Sequence, residues 1–101
     1  MAAETEDRDW QRLDKWLWCA RVAKTRAACA KIIEKGGVRI NRLATDKPHY
    51  KLRPGDVLIF ALGGPEHGVV RVWRVLLLGD RRGPASEARM LFEDISAQSG
   101  P

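Results

Sequence analysis

The apolar residues near the start of the chain recur with the spacing of one helical face. They are Leu13, Trp16, Leu17 and Ala20, at positions i, i+3, i+4 and i+7. This spacing predicts a first helix over residues 13–21 whose apolar face turns toward the core. Trp18 falls outside that face, so either a later segment covers it or a ligand contacts it. Because large aromatic side chains are usually buried, we favour burial under the C-terminal segment.

A second helix is predicted to begin after a short turn. Thr25 is suited to cap it, since a threonine hydroxyl accepts a hydrogen bond from a free amide of the first helical turn. Its inner face is formed by Ala28, Cys29, Ile32 and Ile33. Lys31 and Lys35 share a stripe away from that face. Gly36 and Gly37 end the helix, because glycine readily adopts a positive φ.

One alternation of apolar and polar residues and two apolar segments, the later one rich in Val and Leu, predict strands in the remainder of the chain. These segments are residues 38–41, 57–62 and 69–78, with loops at 45–51, 52–56, 63–68 and 79–83. A final helix is predicted after Pro84, with Ser86 as its cap. Its apolar face consists of Ala88, Leu91, Phe92 and Ile95. The whole pattern predicts an α+β fold in which two N-terminal helices pack on a small, mostly antiparallel β-sheet and a short C-terminal helix follows.

The length of 101 residues predicts one domain. We place it at residues 10–95, with a core motif over 12–60 and a β extension and C-terminal helix over 61–95. Residues 1–9 are polar and acidic, which predicts a disordered lead-in and not a signal or transit peptide, and residues 96–101 predict a disordered tail. No apolar run is long enough to span a bilayer.

Positive charge is concentrated in the first half of the chain. Residues 8–53 contain 13 Lys or Arg and 4 Asp or Glu, a net charge of +9, whereas the rest of the chain contains 5 basic and 9 acidic residues, a net charge of −4. Such segregation indicates a polyanionic partner, either nucleic acid or an anionic membrane. A merely solvated surface would not require this lopsided sign, so we favour nucleic acid.

The predicted RNA contacts share a basic or hydrogen-bonding side chain within this basic half. They are Arg12, Lys15, Lys24, Thr25, Arg26, Lys31, Lys35, Arg39, Asn41, Arg42 and Lys47. Lys24, Thr25 and Arg26 surround the start of the second helix, where free amides and the helix dipole favour phosphate. Asn41 can both donate and accept a hydrogen bond, which suits a base edge or a 2′-hydroxyl.

Other chemistry has little support in the sequence. No phosphate-binding glycine loop, CxxC pair or histidine cluster is present, so we predict no enzyme activity, no cofactor and no metal. Cys19 and Cys29 are read as buried thiols in a reducing cytoplasm. The second helix offers mostly Ala, Ile and Lys, which suits phosphate and shape recognition better than base readout of DNA. A DNA-binding regulator and a small RNA-modifying enzyme, or a subunit of one, stay as alternatives.

The runs RLDKWLW and KTRAACAKIIEKGGVRIN resemble the RNA-binding module named after small-subunit ribosomal protein S-four. The resemblance covers residues 12–60, and with the later RRGPASEA it is similar to the bacterial heat shock protein 15 family. It implies an αL RNA-binding motif in which Asp14 orients a neighbouring arginine. It further implies binding to ribosomal RNA of the free large ribosomal subunit that carries peptidyl-tRNA, in ribosome rescue, recycling or nascent-chain quality control. A cytoplasmic monomer without membrane contact is expected, with peptidyl-tRNA as a candidate partner and an accessory role in rRNA modification or assembly as an alternative.

Overall fold

The computed structural model describes residues 9–62 and 68–96. The expected disordered segments at residues 1–9 and 96–101, and the expected loop at residues 63–68, lie outside the described residues except for their boundary residues 9, 68 and 96. Among the helices that are described, none is long and apolar enough to cross a membrane.

The N-terminal part of the chain forms the predicted pair of helices. A two-residue strand, β1 (Gln11–Arg12), leads into α1 (Leu13–Cys19), and α2 (Arg26–Glu34) follows. α1 ends two residues earlier than predicted, because Arg21 has a φ of 65° and the chain turns there. α2 ends before Gly36, whose φ of 80° confirms the predicted glycine stop.

A five-stranded antiparallel sheet forms the second layer of the fold. The strands outside β1 are β2 (Val38–Ile40), β3 (Leu43–Thr45), β4 (Lys51–Leu52), β5 (Val57–Leu62), β6 (Val69–Val75) and β7 (Phe92–Asp94). The large sheet has the order β3-β2-β5-β6-β7, and β4 pairs with β1 instead. The α+β prediction with two helices on an antiparallel sheet is therefore confirmed, although β1, β3, β4 and β7 were not predicted as strands.

The core lies between the helices and one face of the sheet. All four apolar residues predicted for the inner face of α1 are at most 4% exposed, and Cys29 and Ile33 of α2 are fully buried. The sheet contributes alternate residues of its three inner strands: Val38, Ile40, Leu58, Phe60, Trp73 and Val75. Trp18 is half-buried and packs against this core cluster, so the protein itself covers part of the indole ring.

The end of the described chain corrects the prediction of a helix through residue 95. Helix α3 spans only Ala85–Ala88, a 3-10 turn covers Arg89–Leu91, and Phe92 then enters β7. Phe92 pairs with Val75 across the strands and stacks on Trp73, with ring centroids 3.5 Å apart and planes inclined by 7°. The helical spacing of apolar residues was misleading because Phe92 is held by this stacking and by strand pairing, which a helix would break.

Two further details of this region differ from prediction. Ser86 does not cap α3, since Pro84 occupies the N-cap position and no side chain supplies a cap bond there. Glu93 and Asp94, which fall in β7 and not in the predicted helix, form ion pairs across the sheet, at 2.7 Å between Glu93 and Arg74 and 3.6 Å between Asp94 and Arg71.

β6 also ends at Val75 and not at residue 78. The amides of Leu76 and Leu77 both donate to the Leu91 carbonyl, at 2.8 and 3.2 Å, so they leave the ladder of the sheet. The indole N–H of Trp16 donates to the Leu77 carbonyl at 2.9 Å. Leu76 and Leu77, directly after β6, therefore form a strap that connects α1 to the 3-10 turn ending at Leu91.

Candidate nucleic-acid interface

The carboxylate of Asp14, at the start of α1, is shared by two arginines. It accepts hydrogen bonds from Arg12 Nε at 3.1 Å and Arg12 Nη2 at 3.0 Å, a two-point contact. It also accepts from Arg26 Nη2 at 3.3 Å and from the backbone N–H of Lys15 at 2.8 Å. Arg12 precedes α1 and Arg26 opens α2, so one buried carboxylate joins the starts of both helices. The expected orienting role of Asp14 is confirmed.

Each of the two arginines is bound to Asp14 through its guanidinium group, and about half of each side chain is exposed to solvent. Their side chains are 49% exposed for Arg12 and 44% exposed for Arg26, against 7% for the Asp14 side chain. A guanidinium has five N–H donors in a planar fork, and this contact uses only part of them. The remaining donors can bind a phosphate that approaches from solvent.

The loop before β4 completes this region of the surface. The amide of Asp14 donates to the Pro48 carbonyl at 3.0 Å, and Arg12 pairs with Lys51 across β1 and β4. Lys47 lies one residue before Pro48, is exposed, and forms only a surface ion pair with its neighbour Asp46 at 3.6 Å. Four basic residues, Arg12, Arg26, Lys47 and Lys51, thus surround the start of α1, and we refer to them as the basic corner.

Lys51 was not among the predicted contacts. Its ammonium lies 4.9 Å from the centre of the Trp10 ring, a cation–π contact that fixes its position beside Arg12. Its place in the basic corner depends on the pairing of two-residue strands that are 40 positions apart in sequence. No local pattern indicates such pairing, so sequence reasoning could not have found it.

The start of α2 has the predicted cap. The Thr25 hydroxyl accepts from the Ala28 amide at 3.0 Å, with Thr25 in an extended conformation. Lys24 and Arg26 on either side are exposed. A helix start carries unpaired amides and the positive end of the dipole, so this position adds to the field of the basic corner. The Thr25 hydroxyl already accepts a hydrogen bond within the helix. Its contact with RNA stays a prediction.

Further along α2, Lys31 and Lys35 are both exposed, as predicted. Lys15, in α1, is half-buried. Among the described residues no acidic side chain lies within ion-pair distance of any of these three lysines, so their charges are available to a ligand.

The remaining predicted contacts lie at the turn between β2 and β3. Asn41 and Arg42 have φ values of 51° and 76°, which is the left-handed pair that a two-residue hairpin turn requires. The Asn41 amide donates to Asp56 at 3.0 Å and accepts from the Val57 N–H at 2.9 Å. The Asn41 side chain therefore holds this turn against the start of β5. Its contact with a base or a 2′-hydroxyl stays a prediction.

Electrostatics at Asp14 favour the charged carboxylate. Burial by itself raises the pKa of Asp14, but the hydrogen bonds and charge of Arg12, the charge of Arg26 and the Lys15 amide together hold this pKa below the ordinary 3.8. In return, Asp14 raises the pKa of Arg12. Asp14 and Arg12 are therefore both charged at neutral pH.

This shift predicts an acid-dependent loss of stability. A lowered pKa in the folded state means that the unfolded state binds more protons near this value, so the stabilisation is complete above pH about 4 and is lost as pH falls through the lowered value. We expect the free energy of unfolding of the wild type to fall in this window more than that of Asp14→Asn. Urea unfolding between pH 2.5 and 6 measures the difference. Parallel curves for the two proteins would contradict it; Asp94, whose pKa is also lowered, is common to both.

The described residues offer neither an activated thiol nor a cluster of metal ligands. Cys19 and Cys29 are free, buried thiols, and burial raises the pKa of each, which disfavours the reactive thiolate. Across residues 9–62 and 68–96, no three His, Cys, Asp or Glu side chains are grouped so that they could hold a metal ion.

The chain is similar to known proteins over most of its length. Residues 11–58 match the model of the S4 domain. Heat shock protein 15 of Escherichia coli strain K12 is 40% identical over 83 residues, which are 82% of this chain and 59% of that protein. The heat shock protein 15 homolog of Aeromonas salmonicida is 37% identical over 86 residues, 85% of this chain and 61% of that protein. The chain thus spans about three fifths of the length of these relatives.

A solved structure is also similar. The trimeric structure of Vibrio cholerae heat shock protein 15 superposes with a TM-score of 0.75 at 30% sequence identity, covering 84% of this chain and 81% of that one. The similarity therefore extends over both the helical pair and the sheet, and beyond the residues that match the S4 domain.

Proposed function

Since the chain belongs to the heat shock protein 15 family and contains an S4 domain, an RNA-binding module, over residues 11–58, we propose that it is a non-enzymatic protein that binds ribosomal RNA. Its target is the free large ribosomal subunit that still carries peptidyl-tRNA. Its task is ribosome rescue, recycling or nascent-chain quality control under stress, in the cytoplasm. Direct contact with the peptidyl-tRNA is part of this proposal.

The observation that supports RNA binding most is the basic corner around Asp14. Two arginines, one directly before α1 and one at the start of α2, are fixed by one carboxylate, with about half of each side chain accessible. Preformed donors of this kind lose little conformational entropy when they bind phosphate. Because the whole corner belongs to one chain, a monomer suffices to build it.

The proposal predicts a marked dependence of affinity on salt. Neutralising each phosphate releases about 0.7 of a counterion from single-stranded and about 0.9 from double-stranded nucleic acid. Six phosphate contacts should therefore give a slope of about −4 to −5 in a plot of log affinity against log salt. Fluorescence anisotropy with labelled ribosomal RNA fragments measures this slope, and a slope near zero would contradict an electrostatic interface.

Sedimentation distinguishes the target. The protein should co-sediment with free large subunits, more strongly when they carry peptidyl-tRNA, and not with small subunits. A DNA duplex of matched sequence serves as competitor at physiological salt. If DNA displaces the protein from large subunits as well as ribosomal RNA does, the proposed target is wrong and a DNA-binding role gains support.

A further inference from the structure

The face of the sheet that points away from the helices carries an open apolar row. Arg39, Ile59 and Val72 are direct neighbours across β2, β5 and β6. Register partners point to the same face, and their Cβ atoms lie about 4.5–5.5 Å apart. Ile59 and Val72 are only half-buried, while their sequence neighbours Leu58, Phe60 and Trp73 belong to the core on the other face. The row is thus a continuous apolar floor with one cationic end.

The β2–β3 turn makes this face concave. A groove of about 420 Å³ is lined by Asn41, Arg42, Val57, Ile59 and Val72. The two hydrogen bonds of Asn41 to Asp56 and Val57 fasten the turn beside the floor. These bonds fix the wall of the groove. The volume of the groove lies within the 300–1,000 Å³ that small-molecule sites occupy.

The charge at the rim of the groove is positive. The Arg39 guanidinium donates a weak bond of 3.5 Å to the Arg42 carbonyl, which keeps it beside the turn. Within the described part of the chain, neither Arg39 nor Arg42 forms an ion pair, whereas Arg71 and Arg74 on β6 do. A ligand that matches this groove has an apolar, flat body and a negative charge at its edge.

We propose that the groove receives an unpaired base of the bound RNA, with Arg39 and Arg42 on the phosphates that flank it. This inference rests on the proposed RNA binding and adds a second, separate contact to the basic corner. A nucleotide fits better than an acidic peptide, because the groove adjoins Arg39 on β2 and Arg42 in the turn, which are both predicted RNA contacts. Aliphatic side chains can pack against the faces of an extruded base, and base stacking tolerates any sequence.

The test compares two RNAs that differ in one nucleotide. One is a fully paired hairpin, and the other contains a single unpaired adenine replaced by 2-aminopurine, whose emission reports its surroundings. The groove variant is Ile59→Ser with Val72→Ser. Its matched control is Val70→Ser, which lies on the same strand and face, is 59% exposed, and does not line the groove.

Wild type and control should bind the RNA with the unpaired base about tenfold more tightly than the paired hairpin, consistent with the cost of losing one stacked base. Binding should also change the emission of 2-aminopurine. The groove variant should lose both the preference and the emission change, while its affinity for the paired hairpin changes less than twofold. If circular dichroism shows that this variant is unfolded, the single change Val72→Ser, at a half-buried position that lines the groove, replaces it with the same expected loss.

Three results would overturn the inference. The groove variant could bind both RNAs as wild type does, or its affinity for both RNAs could fall by the same factor. Alternatively, it could change the mass of the RNA-free protein in sedimentation, which would assign this face to a second copy of the chain. In the first case wild type still binds RNA, so only the groove fails. If wild type binds neither RNA, it is the proposed function that fails.

Discussion

Replacing Lys31 and Lys35 together with glutamate should weaken binding to large ribosomal subunits by about 100-fold or more. Both side chains are exposed on α2 and none of the described acidic side chains lies within ion-pair distance of them, so the fold does not depend on their charge. Each replacement removes a phosphate contact and adds a repulsion. A 100-fold loss corresponds to about 2.7 kcal/mol, or about 1.4 kcal/mol for each reversed charge. The salt slope should fall by about 1.4–1.8, as expected for two lost contacts.

The control has the same net charge. Arg81→Glu with Arg89→Glu reverses two exposed charges outside the basic half of the chain. It should bind as wild type does, because placement and not total charge determines the effect. Co-sedimentation and anisotropy measure both variants after circular dichroism has established that they are folded. A folded Lys31→Glu, Lys35→Glu protein that still co-sediments like wild type would remove α2 from the interface.

Replacing Asp14 with alanine should reduce both stability and specificity. The carboxylate accepts four hydrogen bonds and is itself 5% exposed, although its arginine partners are about half exposed and screened. We expect the free energy of unfolding to fall by about 2 kcal/mol, the range for hydrogen bonds to a charged group after allowance for solvent. Urea unfolding at pH 7 measures this loss.

The effect on RNA binding has two opposing parts. Removal of a negative charge from a basic surface strengthens non-specific attraction, while the released arginines lose their fixed geometry. The first part acts on any polyanion and the second only on the cognate site, so the ratio of specific to non-specific affinity should fall about tenfold even if total affinity changes little. Anisotropy with ribosomal RNA and with random RNA of equal length gives this ratio. An unchanged ratio would show that Asp14 acts on stability alone.

Local signals in the sequence explain which parts of the fold could be predicted. The faces of α1 and α2, the Thr25 cap and the Gly36 stop depend on spacings of a few residues, and all are present in the structure. β7 was mistaken for a helix because the apolar residues near Phe92 have helical spacing, whereas the stacking of Phe92 on Trp73 is a contact between distant segments.

The same distinction applies to the site. The basic residues were visible in composition, but the sharing of Asp14 by Arg12 and Arg26 requires the two helix starts to meet in space. Lys51 joins them only through the pairing of β1 with β4. The groove under the β2–β3 turn could not be seen from sequence either, because it arises from register across three strands.

The bond between Trp16 and the Leu77 carbonyl spans 61 positions of the chain. A ribosome that is making this protein must therefore translate Leu77 before this bond can hold α1 in place. Contacts of such long range slow folding, since the entropy of closing the loop is lost before any contact compensates for it. A nascent copy stalled midway would carry every lysine and arginine of the basic half but no fixed arrangement of them, so incomplete copies should not compete with finished ones for their target.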